Sequence, residues 1–143
     1  MKNLICYKTR FGATKKYMEW LAEAINADLR TFSETKGKDA FSNYDTIVVS
    51  SATYAGLMPL NHFLKKNWKH LQDKNVIVVA VGAAAADDPW SIKSYNRIPQ
   101  KIRDKIKYFK IRGEDPDSSK KPDYVSLVNK ENLVPIIKFV TGK

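Results

Sequence analysis

Two runs, Ile47-Val48-Val49 and Val76-Ile77-Val78-Val79-Ala80-Val81, carry apolar side chains at consecutive positions and so leave no face to turn toward water. Strands of this kind are stable when both faces of their sheet are covered, as in parallel sheets flanked by helices. Around these runs, Thr46–Ser50 and Val76–Val81 read as central strands, and Leu4–Tyr7, Leu29–Phe32 and Tyr108–Ile111 as three more. Helical stripes lie between them. Tyr17, Met18, Leu21, Ala24 and Ile25 form one; Leu60, Phe63, Leu64, Trp68 and Leu71 form another. Ile92, Ile98, Ile102 and Ile106 suggest a third, interrupted by Pro99. Leu133, Ile136, Ile137 and Val140 suggest a fourth, with Asn129 as its cap, and Ala40-Phe41 a minor helix before the third strand. The alternation predicts a doubly wound α/β fold: a five-stranded parallel sheet with right-handed crossovers and helices on both faces.

At 143 residues the expectation is one domain over 1–143, with the polar Gly113 to Asp123 stretch as a surface loop insertion. With 43% apolar and 28% charged residues the chain reads as soluble and globular. The longest run free of polar side chains, Val76 to Ala86, is far short of the roughly 18 residues of a membrane span. Met1-Lys2-Asn3 and the few apolar residues after it do not make a signal peptide. A single cysteine, Cys6, excludes an internal disulfide and suits a reducing, cytoplasmic setting, with Cys6 an inert core residue.

Thr9-Arg10-Phe11-Gly12-Ala13-Thr14 joins the first strand to the first helical stripe. Loop amides, threonine hydroxyls and the positive end of the helix dipole face one small volume there, a donor set for a phosphate. Arg10 adds a fixed positive charge, and no Asp or Glu lies between Lys2 and Met18. The structural alternative is a plain helix start, with Thr14 capping and Gly12 easing the bend.

Several chemistries are missing. There is no G-x-G-x-x-G after the first strand, no G-x-x-x-x-G-K-[ST] and no G-x-S-x-G. Lys8-Thr9-Arg10 stands where a phospho-acceptor receiver would want acidic residues. His62 and His70 have no acidic residue between them and do not suggest a metal site. What remains converges at the carboxyl ends of the strands, where ligands of doubly wound sheets bind. Residues 9–14 suit a phosphate. Ser51 to Met58, with Ala52, Thr53, Tyr54, Ala55 and Gly56, offers an aromatic beside small residues. Ala83, Ala84, Ala85 and Ala86 let a flat ring approach backbone, and Asp87, Asp88 and Trp90 follow. A phosphate pocket with flat, small-residue walls describes a mononucleotide carrying a large planar heterocycle.

The loop resembles the FMN phosphate loop of flavodoxins, with Thr9, Phe11, Gly12 and Thr14 at its characteristic positions. The following helix and the Tyr54-Ala55-Gly56 segment are similar to those of the branch that includes menaquinone-dependent protoporphyrinogen oxidases. The resemblance implies strand order 2-1-3-4-5 and an FMN-binding electron-transfer protein cycling between oxidised, semiquinone and hydroquinone flavin, with no catalytic side chain and no metal. Thr9, Arg10, Phe11, Gly12, Ala13 and Thr14 would then hold the phosphate. Ala52, Thr53, Tyr54, Ala55 and Gly56 would line one side of the ring, and Ala83, Ala84, Ala85, Asp88 and Trp90 the other. It also places a redox-responsive peptide in the Tyr54–Leu57 loop, where Gly56 alone takes a positive φ without steric cost.

The net charge of +10 departs from the acidic habit of electron-carrier flavodoxins. Lys93, Arg97, Lys101, Arg103, Lys105, Lys107, Lys110 and Arg112 face only Asp104 within 93–112, either a docking face or a solvated helix. The expected partner is a redox protein with an acidic face. Two alternatives use the same chain differently: an FMN-dependent oxidoreductase acting on protoporphyrinogen or a quinone, with peripheral membrane contact, and a flavin-free basic interaction module. Nucleic acid is a poor fit, because aromatics are not interleaved with the basic residues beyond Tyr95 and Tyr108.

Overall fold

The computed structural model describes residues 2–54, 56–114, 120–123 and 125–142. Five parallel strands, β1 (Asn3–Lys8), β2 (Ala27–Thr31), β3 (Thr46–Ala52), β4 (Asn75–Gly82) and β5 (Ile106–Arg112), form one sheet in the order β2-β1-β3-β4-β5. Among the described residues, five α-helices accompany them: α1 (Ala13–Ile25), α2 (Leu60–Leu71), α3 (Pro89–Asn96), α4 (Gln100–Arg103) and α5 (Val134–Thr141). The expected doubly wound sheet is what forms.

The pleat sorts each apolar run into two cores. Leu4, Ile47, Val49, Val76 and Val78 face α2, the α3–α4 link and α4 through Phe63, Leu64, Trp68, Ile98 and Ile102. Their neighbours Ile5, Val48, Ile77 and Val79 face α1 and α5 through Tyr17, Met18, Leu21 and Ile136. Val48 pairs with Ile5 on one side and Ile77 on the other, so this layer runs across three strands. Each such fully buried side chain contributes about 1.5–3 kcal/mol.

The strands β1, β3 and β4 run one or two residues beyond their expected ends, and other boundaries differ more. The isoleucine stripe at 92–106 is two helices and a strand start. Pro99 is extended (φ −52°, ψ 139°) and has no N–H, so α3 stops at Asn96 and α4 begins at Gln100. Ile92 is 48% exposed, and Ile106 opens β5 opposite Val76. Phe32 leaves β2 because the Glu34 carboxylate accepts from both the Thr31 N–H (2.8 Å) and its hydroxyl (2.9 Å), closing a 3-10 turn over Phe32–Glu34. Asn129 caps the 3-10 turn Lys130–Leu133, through its Oδ1 and the Glu131 N–H, and α5 follows directly. Ala40-Phe41 does end a minor helical turn, Lys38–Phe41.

Within 113–123, residues 115–119 lie outside the described residues. Gly113 is not at the surface: it is buried, and its N–H donates to the Gly82 carbonyl at 2.8 Å. Cys6 is buried in the core and burial pushes its thiol up to about 12, which fits an inert side chain. Among the described residues no helix is long and apolar enough to cross a membrane.

Two polar devices hold the carboxyl edge of the sheet. The Tyr17 hydroxyl, wholly buried, donates to the Arg112 carbonyl (2.6 Å) and accepts from Asn132 Nδ2 (2.8 Å) and the Asn129 N–H (3.2 Å). It ties α1 to the end of β5 and to the segment leading into α5. Tyr17→Phe would strand those partners, and urea unfolding should show a loss of about 1–3 kcal/mol. An unchanged midpoint would mean that water replaces the hydroxyl.

The second device is Lys110. Its Nζ donates to the carbonyls of Gly82 (3.0 Å), Ala84 (2.5 Å) and Ile111 (3.3 Å), fastening the turn after β4 to β5. Burial, reinforced by Arg112 and opposed by Asp88, lowers its pKa from 10.5 to about 8. Between those values the unfolded chain holds the proton that the folded chain has released, so this group makes stability rise with pH across that window. Below pH 8 both states are protonated and the full cost of burying the charge is felt. Urea midpoints measured at about pH 7.5 and 9.5 should therefore rise more in the parent protein than in Lys110→Met.

Candidate functional site

The chain leaves β1 toward one face of the sheet and β3 toward the other, so the loops at their carboxyl ends part and open a cleft. The cleft, of about 250 Å³, is lined by Arg10, Phe11, Ala13, Thr14, Ala52, Thr53, Tyr54, Val81, Gly82, Ala83, Ala84, Trp90, Gly113 and Glu114. All three expected loops contribute.

One end is rich in hydrogen-bond donors. Gly12 stands at the N-cap of α1 with φ 95°, a left-handed conformation that costs other residues roughly 1–2 kcal/mol. Its N–H donates to Thr9 Oγ1 at 3.0 Å, which tightens the loop, and the first α-helical bond runs from the Lys16 N–H to the Gly12 carbonyl. The amides of Ala13, Thr14 and Lys15 have no acceptor among the described residues, as expected for a helix start. Thr14 does not cap the helix. It lies inside the first turn, 1% exposed, and its Oγ1 has no hydrogen-bond partner among the described residues. A buried hydroxyl left unmatched costs about 1–3 kcal/mol, so its place at the cleft wall calls for a ligand.

The other walls are apolar or aromatic. Tyr54 and Trp90 are 57% and 53% exposed, and Phe11 55%. Arg10 bridges the first two loops, its guanidinium 5.0 Å from the Phe11 ring centre and 4.8 Å from that of Tyr54. Thr53 is fixed twice, by its N–H to the Val81 carbonyl (2.8 Å) and by Oγ1 against Ser94 Oγ (2.9 Å). Tyr54 and Leu57 exchange two 2.9 Å backbone bonds around Gly56, whose φ is 82°. Ala55 lies outside the described residues.

Several expected residues stand beside the cleft and do not line it. Thr9 faces the adjoining groove. Gly56 is buried behind Trp90, and a Cβ there would meet Trp90 Cε3 at 3.2 Å. Ala85 accepts the Asp88 N–H (3.1 Å), and Asp88 Oδ1 accepts the Trp90 N–H (2.9 Å) as the N-cap of α3. Asp88 thus orients the tryptophan. Ser51 and Ala52 belong to β3 rather than to the loop: Ala52 lines the cleft from the strand end, and Ser51 Oγ accepts the Leu60 N–H at the start of α2.

The sequence reading missed Val81, Gly82, Gly113 and Glu114. Gly82 ends an apolar run, and a Cβ there would meet Thr53 Cγ2 at 2.7 Å, so the close approach of β4 to the second loop had a glycine as its signal. Nothing local marked Gly113 and Glu114, because β5 brings them to the cleft from far along the chain.

The chain matches the model of the flavodoxin domain family over residues 4–116. Among solved structures it resembles a flavodoxin from the domain Archaea (18% identity, 99% of both chains, TM-score 0.60). It also resembles oxidised Flavodoxin 2 from Bacillus cereus (14% identity, 99% of both chains, TM-score 0.62). A Fusobacterium nucleatum flavodoxin variant bound to flavin mononucleotide matches at 15% identity, covering all of this chain and 95% of its own, with TM-score 0.53. A search of curated proteins finds no match. The strand order 2-1-3-4-5, the glycine-pinned turn into α1 and the family match over most of the chain agree, and the protein is a member of the flavodoxin domain family.

Proposed function

We propose that the protein binds FMN in this cleft and serves as an electron carrier. The observation that carries the reading is the donor end of the cleft. Three amides without acceptors, an unpartnered buried Thr14 hydroxyl and a left-handed glycine converge there, which fits a phosphate that accepts several hydrogen bonds at once. Membership of the flavodoxin family and an FMN-bound structural neighbour point to the same group. The bound flavin supplies reversible electron uptake at its ring system.

The chain's own residues hold and shield. The Ala13, Thr14 and Lys15 amides and the Thr14 hydroxyl take the phosphate, and Arg10 lends a positive charge. Tyr54 and Trp90 provide flat apolar surface for the ring, and Ala52, Ala83 and Ala84 keep the walls low. Gly56, already at positive φ beside Trp90, lets the Tyr54–Leu57 turn present backbone to the cofactor. No side chain is required as acid or base. Purified protein should take up FMN, quench its fluorescence and display the absorption of bound flavin. Protein that leaves added FMN fluorescence unchanged would refute the reading.

Thr14→Val separates a phosphate donor from a mere helix residue. Valine keeps the shape and removes the unmatched hydroxyl, so the FMN-free protein should gain about 1 kcal/mol in urea unfolding. FMN affinity should fall by roughly tenfold, because a hydrogen bond to a charged acceptor is lost. Unchanged affinity would leave Thr14 outside the phosphate site.

A further inference from the structure

Beside the cleft, three grooves that share lining residues form one cationic channel, which meets the cofactor cleft at Arg10 and Tyr54 and otherwise lies outside it. The first, about 440 Å³, shares Arg10 and Tyr54 with the cleft and adds Lys8, Leu57 and Pro59. From Lys8 and Pro59 a second, about 430 Å³, runs to Lys36, His62 and Lys66. From Leu57, Pro59 and His62 a third, about 490 Å³, reaches Lys65 and Arg97. No carboxylate lines any of the three among the described residues. Lys8, Arg10, Lys36, Lys65, Lys66 and Arg97 are all exposed, and none forms an ion pair among the described residues. Of the acids near the cleft, Glu114 belongs to another of its walls and Asp88 caps α3 beside it.

At the junction of the grooves and the cleft sit Leu57 and Tyr54, 58% and 57% exposed. An exposed apolar pair ringed by unpaired cations has the anatomy of a protein interface, with an apolar centre and a charged rim. Base stacking has little to work with. Phe63 is buried beneath Phe32 at 4.2 Å, and Arg10 covers a face of Tyr54. We propose that this channel docks the acidic face of a protein redox partner and seats it against the Leu57–Tyr54 edge of the cleft. As a redox interface it rests on the flavin reading above. The charge complementarity does not.

The test uses FMN-treated full-length protein and a fluorescein-labelled poly-glutamate peptide as probe, followed by anisotropy at low and moderate salt. Lys36→Gln/Lys66→Gln/Arg97→Gln removes three channel charges. Lys101→Gln/Lys105→Gln/Lys107→Gln removes three elsewhere, Lys105 and Lys107 being at the opposite end of the sheet. The channel variant should bind the peptide roughly tenfold more weakly and with a shallower salt dependence, and the control should stay within about twofold of the parent. Equal losses in both variants would reduce the effect to net charge and overturn the proposal. Tighter binding of an oligothymidylate of the same charge would overturn it in favour of nucleic acid. FMN quenching on the same samples keeps the two readings apart. A protein that fails to take up FMN yet shows the channel-specific loss contradicts the redox role and leaves the acidic docking standing.

Discussion

Everything in this structure follows from covering both faces of β3 and β4 at once. Their backbone groups are satisfied by neighbouring strands, but their side chains offer nothing to water on either side. Helices must therefore return over both faces, and a chain that winds both ways has to reverse its direction of progress once. The reversal lies between β1 and β3, where the loop to α1 and the loop to α2 separate. The cleft is thus a consequence of how the core is hidden.

The chemistry of the cleft comes from which backbone groups end there. A helix start necessarily presents free amides, and Gly12 in a left-handed conformation turns the chain so that they face the opening. Thr14 goes further, because its buried hydroxyl forgoes any partner within the described chain. This deficit lies at the cleft wall, where a ligand can relieve it, and such departures from good packing recur at functional sites. The aromatic walls differ in kind. Tyr54 and Trp90 stay exposed, with Arg10 lying over the Tyr54 ring and Asp88 capping the helix that carries Trp90.

Charge shows how poorly linear distance reports surface organisation. The basic stretch 93–112 is dense in sequence, yet its members scatter. Lys105 and Lys107 lie at the amino-terminal edge of the sheet, Lys110 turns inward onto carbonyls, and Arg97 joins a groove near the cleft. Besides Arg97, the channel beside the cleft draws on Lys8, Lys36, Lys65 and Lys66, from three separate places: β1, the β2 exit and α2.

The sequence by itself determined the layer architecture, since uninterrupted apolar runs and helical stripes admit few other arrangements. It also determined the turn into α1, because the hydroxyl, glycine and absence of acids between Lys2 and Met18 are local properties. Pro99 was a legible break, although the isoleucines on either side of it concealed where the strand began. Only the tertiary structure decided which residues share the cleft. Gly113 and Glu114 reach it through β5, Gly82 through its contact with Thr53, and the Thr14 hydroxyl is unpartnered only because the fold buries it. Local order follows from periodicity and backbone preference, which are written along the chain. Proximity and desolvation arise when distant segments exclude water together, and no stretch of sequence contains that information alone.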